Sequence, residues 1–360
     1  MSKPNITYYL GAGASYNAYP ILTELGVRMI GFAKRYLSIK AVPANKLNFD
    51  SLVKHETQFA WAWDIGYFGN KALDYGTIDT YAKVLMLNGE EKQLARLKAA
   101  LSTFITLWEF VDDEYVKPTF RMKSEDNGKR IFADVDKRYL ALLSNFLERD
   151  EVSINRADTI NFISWNYDFQ VQRAIGKLIL NEFDYWRINV HLPFDQFSTS
   201  SSPLSLTQLN GYAGFWSTKE SPEVVIGVRN AKFTLDQSLD DLDHIVASTT
   251  RGEINWDNLI NYAWEKSELV SERRERAKEI IRNTNTLIII GYSFPSFNRE
   301  IDRELFNEIQ PGTHVVYQDP NANEEILNHL LPSAGLPNRT NGITTKILKE
   351  TNQFHLPLVF

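Results

Sequence analysis

Five short stretches of this chain combine residues that could do chemistry. In Gly11-Ala12-Gly13-Ala14-Ser15, two glycines one residue apart would let backbone N–H groups approach a pyrophosphate unobstructed, with a helix start adding a favourable dipole. A bare tight turn is an equally good reading of those glycines alone. Trp165-Asn166-Tyr167-Asp168 sets an amide beside a carboxylate, suited to holding a ribose hydroxyl or orienting a water, or merely to capping a helix. Gln208-Leu209-Asn210-Gly211 offers further amides, Gly291-Tyr292-Ser293 a glycine followed by a hydroxyl, and Asp319-Pro320-Asn321 a carboxylate and an amide that could receive an adenine or its ribose. Each of the last two could also be a plain connecting turn.

What must position these residues is visible in the hydropathy pattern. Residues 6–10, 159–164, 286–290 and 314–317 are apolar runs of strand length, each ending at one of these turns. Shorter strand candidates fall at 187–191, 206–209 and 224–227. Apolar residues recur three and four apart over 25–36, 94–111, 139–147 and 169–181, and a long helix is expected over 256–283. Continuous apolar strands followed by glycine or polar turns predict an α/β fold: a Rossmann-like parallel sheet with helices on both faces, whose ligands bind at the carboxyl ends of the strands. A helical insertion after the first strand gives the expected division: 1–22 with 155–360 as the dinucleotide-binding domain, 23–154 as the inserted module. Aromatic residues there, including Trp61, Trp63, Tyr67 and Phe68, are expected in a core more than at an interface.

Composition narrows the function classes. The 360 residues are 43% hydrophobic and 23% charged, as in an ordinary globular protein. There is no cysteine, which removes disulfides, thiolate nucleophiles and every cysteine-bearing metal site. A net charge of −6 argues against a broad nucleic-acid surface, and the mixed-sign run 272–279 reads as a solvated helix face. No secretory signal, transit peptide or membrane span is evident, so a cytoplasmic location is expected. The ordinary dehydrogenase fingerprint is also disfavoured, because its third glycine would fall at Tyr16.

Taken in order, the glycine turn, the strand ending in Asn-Tyr-Asp, the late strand ending in Gly-Tyr-Ser and the last ending in Asp-Pro-Asn resemble the sirtuin-like superfamily. Within it, the chain looks like the bacterial antiphage-defence branch that hydrolyses nicotinamide adenine dinucleotide. The resemblance covers roughly 5–25, 155–230 and 285–325. It implies that Gly11, Ala12, Gly13, Ala14, Ser15 and Pro20 wrap the phosphates and nicotinamide ribose, that Asn166 is catalytic with Asp168 beside the cofactor, and that Gly291, Ser293, Asp319 and Asn321 hold the adenosine. Where the superfamily carries a catalytic histidine before a glycine, this chain has Asn210, which can hydrogen-bond a ribose but is no general base. His191 and His244 stand in reserve for that role, and Tyr16 or Tyr19 could close over the nicotinamide.

The resemblance implies NAD+ as substrate, no metal, a homo-oligomer, and a partner such as a HerA-like ATPase or an Argonaute, with no membrane and no direct nucleic-acid contact. A non-catalytic sensor of NAD or ADP-ribose is the competing expectation. A protein deacylase is the weakest, since the zinc module usual beside its peptide groove needs four cysteines.

Overall fold

The computed structural model describes residues 4–21, 23–54, 57, 59–110, 132–146, 148–149, 154–155, 159–178, 189–190, 204–217, 256–331 and 342–357. The chain divides into two compact units, one of residues 1–18, 135–211 and 261–360, the other of 19–134 and 212–260.

The first unit is built on a parallel sheet. Its strands are β1 (Asn5–Leu10), β4 (Thr159–Ser164), β5 (Asn189–Val190), β6 (Leu204–Gln208), β9 (Thr286–Ile290), β10 (His314–Gln318) and β11 (Thr344–Leu348); two short strands, β2 (Glu148–Arg149) and β3 (Ile154–Asn155), pair separately. The seven lie in the order β11-β10-β9-β1-β4-β6-β5, all neighbours parallel. β1 is therefore central, with Tyr8 level with Phe162 on one side and Ile288 on the other. Strands following β1 in the chain fill one side before β9 crosses to the other, so the strand order reverses beside β1, the place where parallel α/β sheets receive ligands at the carboxyl ends of their strands.

The period-two alternation of strand side chains sorts the core into two layers. Ile6, Tyr8, Leu10, Ile160, Phe162, Leu206, Ile288 and Ile290 face α5 (Lys137–Ser144) and α6 (Gln170–Leu178), which contribute Tyr139, Leu142, Leu143, Val171, Ala174 and Ile175. Tyr9, Ile163, Leu287, Ile289, Val315 and Tyr317 face α7 (Glu268–Arg282), α8 (Arg299–Phe306) and α9 (Glu324–Leu330) through Ala277, Ile281, Leu305 and Leu327. Burying near-continuous apolar strands on both faces is what makes a parallel sheet stable. The α/β, Rossmann-like parallel sheet with helices on both faces is thus present as expected.

The second unit holds α1 (Thr23–Ile39), α2 (Ala60–Asp74), α3 (Ile78–Leu87) and α4 (Glu91–Phe110), with the strand pair β7 (Gly211–Ser217) and β8 (Trp256–Ile260). Its core is aromatic: Phe32 packs on Tyr36, Trp61 and Phe104, and Trp61 and Phe68 are buried while Trp63 is partly exposed. Asp64 meets Arg96 there, and burial lifts its carboxyl to about 6 against the pull of that guanidinium.

Residues 19–22 and 212–260, expected in the dinucleotide-binding domain, fall in the second unit, and three further features differ from the sequence expectation. Residues 135–146 belong with the sheet because α5 inserts Tyr139, Leu142 and Leu143 under β1. Residues 256–260 form β8, whose Asn258 Oδ1 accepts a hydrogen bond from Ser102 of α4, so the expected helix over 256–283 begins only at 268. The backbone at 261–263 is diverted to Asn210, and Ser267 then caps the helix, accepting from Val270 N–H at 3.3 Å. Strand β11 lacks a buried apolar run, its first three residues being exposed, and so left no hydropathy signal. The expected strand at 224–227 lies outside the described residues.

Candidate functional site

Three turns from remote parts of the first unit meet at the carboxyl edge of the sheet. The chain leaves β1 into a short 3-10 turn, Ala12–Ser15, and the turn after β9 is pressed directly against it. Gly11 N–H donates to Ile290 carbonyl and Gly13 N–H to Gly291 carbonyl, both at 2.9 Å. Gly291 has φ +60, and a Cβ there would lie 2.4 Å from the Ala14 nitrogen and the Gly13 carbonyl carbon. A Cβ on Gly11 would lie 2.5 Å from Gly291 carbonyl oxygen. Glycine is required at these positions by backbone-to-backbone contact between the two turns.

Asn166, at the end of the strand on the other side of β1, reaches into the same turn. Its Nδ2 donates to Gly11 carbonyl at 3.0 Å and to Ser15 Oγ at 3.3 Å, and its own N–H donates to Ser164 Oγ at 3.0 Å. The residue is 8% exposed. Ser15, fully buried, also lies 3.5 Å from Tyr139 Oη, whose ionisation is pushed well up by burial and then by the Asp168 charge. Asp168 turns the chain into α6 by accepting Gln170 N–H at 3.1 Å. Gln208 braces this segment, donating through Nε2 to the carbonyls of Asn166 and Asp168 at 3.1 and 2.9 Å.

Asn210 is engaged differently from the ribose contact implied for it. Its Nδ2 donates to Trp165 carbonyl at 3.0 Å, its Oδ1 accepts Ala263 N–H at 2.9 Å, and it is 6% exposed. The amide joins the ends of β4 and β6 to the chain entering α7, a bracing role that asparagine's paired donor and acceptor suit. Gly13 N–H and Ala14 N–H are likewise committed within the protein, Ala14 to Gly11 carbonyl.

After β9 and β10, Ser293 and Asn321 are exposed, whereas Asp319 is buried and accepts Asn321 N–H at 2.7 Å. Burial raises its carboxyl above the ordinary range. Pro20 is buried and belongs to the second unit, as does Tyr19, whose ring packs edge-on against Trp108; Tyr19 is a core residue there. Tyr16 is 45% exposed. His191 and His244 lie outside the described residues.

Two clusters beneath the turns escaped the sequence reading. On one face, Trp165 Nε1 donates to Tyr9 Oη at 2.7 Å, and Tyr9 Oη donates to Asp302 Oδ1 at 2.6 Å. Tyr292 Oη also donates to Asp302, at 3.0 Å, and its ring stacks on Trp165 at 5.7 Å. Asp302 is 0% exposed, and burial lifts its carboxyl to about 7 despite the tyrosine hydrogen bonds and Arg299. An acid on the apolar Ile301–Leu305 face of α8 was the available signal. On the other face, Arg138 and Asp136 form a buried forked ion pair, Nη2 to Oδ2 at 2.6 Å. Nothing in their spacing marked them.

Among the described residues, no cluster of three or more His, Asp or Glu could hold a metal ion, and no helix is long and apolar enough to cross a membrane. No protein-family model matches the chain, and no curated protein matches it. Among solved structures it is similar to Sir2 in complex with the inhibitor EX-527, 2'-O-acetyl-ADP-ribose and a deacetylated p53 peptide, at 10% identity over 96% of this chain and 88% of that one, with a TM-score of 0.34. It is similar also to a Sir2–p53 peptide–NAD+ complex, at 9% identity over 97% and 88%, with a TM-score of 0.36. Superpositions this loose transfer no role to any residue of this chain.

Proposed function

We propose that this protein binds nicotinamide adenine dinucleotide across the carboxyl edge of its first unit and hydrolyses the bond between nicotinamide and ribose. The observation that supports this best is the meeting of Asn166 and the 291–293 turn on the 11–15 turn, at the strand ends where parallel α/β sheets receive ligands. In the reaction the C–N bond to nicotinamide breaks, its electron pair leaving with the ring, and a water oxygen bonds to the anomeric carbon and loses a proton to solvent. The leaving group is already cationic, so no general acid is required, and the site has mainly to position and to exclude bulk water. Asn166 would hold the ribose or the attacking water with the carbonyl end of its amide, its Nδ2 being fixed by Gly11 and Ser15.

The resemblance extends this reading to a cytoplasmic effector of antiphage defence, acting as an oligomer or with a partner. A second reading, a sensor that binds dinucleotide or ADP-ribose without turnover, is favoured by Asn210, whose amide carbonyl and one N–H are taken by backbone. Purified protein incubated with NAD+, with free nicotinamide and ADP-ribose followed by chromatography, separates the two. Product that vanishes in Asn166→Ala supports the hydrolase, and tight binding without product in either protein replaces it with the sensor.

A further inference from the structure

Two buried residues connect the segment 349–357, after the edge strand β11, to both glycine turns. Arg138 donates through Nη1 to Thr351 carbonyl at 3.1 Å, and through Nη2 to the carbonyls of Gly13 and Ala14 at 3.1 and 3.2 Å. Its guanidinium carbon lies 4.8 Å from the centre of the Phe354 ring. Gln318 does the corresponding work on the other side. Its Nε2 donates to Glu350 and Gln353 carbonyls at 2.6 and 2.7 Å, its Oε1 accepts His355 N–H at 2.9 Å, and its backbone carbonyl accepts Gly291 N–H at 3.0 Å.

The peptide geometry gives the Arg138 contact a direction. In a trans peptide the C=O and N–H point opposite ways, so fixing the carbonyls of Gly13 and Ala14 fixes where the N–H groups of Ala14 and Ser15 point. The charge itself is not offered to a ligand. Arg138 is 6% exposed and its fork is neutralised by Asp136, which also receives Asn17 N–H at 3.1 Å and caps α5. Phe354, 5% exposed, closes the arrangement by packing at 4.9 Å on Tyr139, the residue beside Ser15.

We propose that Arg138 is a positioning residue through which the seating of segment 349–357 sets the shape of the glycine turn, and with it the affinity of the site for the ADP-ribose portion of a ligand. The affinity half of this rests on the dinucleotide reading above; the coupling half does not.

The test compares wild type with Phe354→Ala, Arg138→Met and Arg138→Lys by amide hydrogen exchange, and measures ADP-ribose binding by calorimetry. Phe354→Ala and Arg138→Met are expected to speed exchange at residues 13–16 at least tenfold and to weaken ADP-ribose binding about fivefold or more. Arg138→Lys, which keeps the charge but not the fork, is expected to exchange faster than wild type at the same amides. Faster exchange confined to 349–357, with residues 13–16 unchanged, overturns the coupling, as does wild-type behaviour of Arg138→Lys. Should Phe354→Ala fail to fold, Phe354→Leu keeps the core filled and is read the same way. If wild type binds no ADP-ribose the dinucleotide reading fails, while the exchange comparison still decides the coupling.

Discussion

The Asn166 side-chain amide donates to Gly11 carbonyl at 3.0 Å, tying the end of β4 to the turn that follows β1. The Nδ2 end of the amide holds the turn, and the proposed function gives its carbonyl end the ribose or the attacking water. Replacing Asn166 with Ala removes both. Turnover of NAD+ is expected to fall at least a hundredfold, while stability falls by only about 1 kcal/mol, the usual net worth of a hydrogen bond. Product release rates beside a urea unfolding curve check this; equal losses in both would make Asn166 a structural residue alone.

Asn210 should show the reverse balance. Asn210→Ala orphans the buried Ala263 N–H and frees Trp165 carbonyl, at a cost of about 1–3 kcal/mol. Turnover by the protein that remains folded is expected to stay within threefold of wild type. A loss of a hundredfold or more, with stability intact, would return Asn210 to the chemistry.

Gly291 and Gly31 make a paired test of backbone demands. Gly291→Ala must fit a Cβ against Ala14 and Gly13 at a left-handed φ, and is expected to cost about 2 kcal/mol or more. Gly31, inside α1, has nothing within 4 Å of its would-be Cβ, so Gly31→Ala is expected to stabilise its unit by about 0.5–1 kcal/mol. Denaturant midpoints distinguish the two directions.

Asp302 gives a pH dependence whose sign follows from burial. Its carboxyl is raised from 3.8 to about 7 in the folded protein. Below the lower value both states hold the proton; between the two the unfolded chain gives it up first. Stability is thus lost as pH rises through that window, a loss on the order of a few kcal/mol and complete above about pH 7. Melting curves from pH 4.5 to 8 should show Asp302→Asn gaining on wild type as pH rises. A constant difference across that range would contradict the assignment.

How much of this was legible beforehand depended on the kind of signal. Strands 159–164 and 286–290 were readable residue for residue because they are buried on both faces and end at polar or glycine turns. The parallel sheet followed from them. The turn residues were readable as a set because glycine and asparagine at strand ends are few in any sequence. What each does was not: Gly11, Gly13 and Gly291 serve one another's approach, and Asn210 serves Ala263, relationships made by chain crossings 50 to 280 residues apart. Arg138, Asp136 and Gln318 were invisible for the same reason. An arginine in a helical stretch looks like a solvated residue until Gly13, Ala14 and Thr351 turn their carbonyls toward it.

The central claim is that the carboxyl edge of the first unit is a dinucleotide site, and amide exchange with and without NAD+ tests it most directly. Slowed exchange on adding NAD+ at residues 11–16, 166–168, 291–293 and 319–322 together is the predicted result. Protection elsewhere, or none at saturating NAD+, would contradict it.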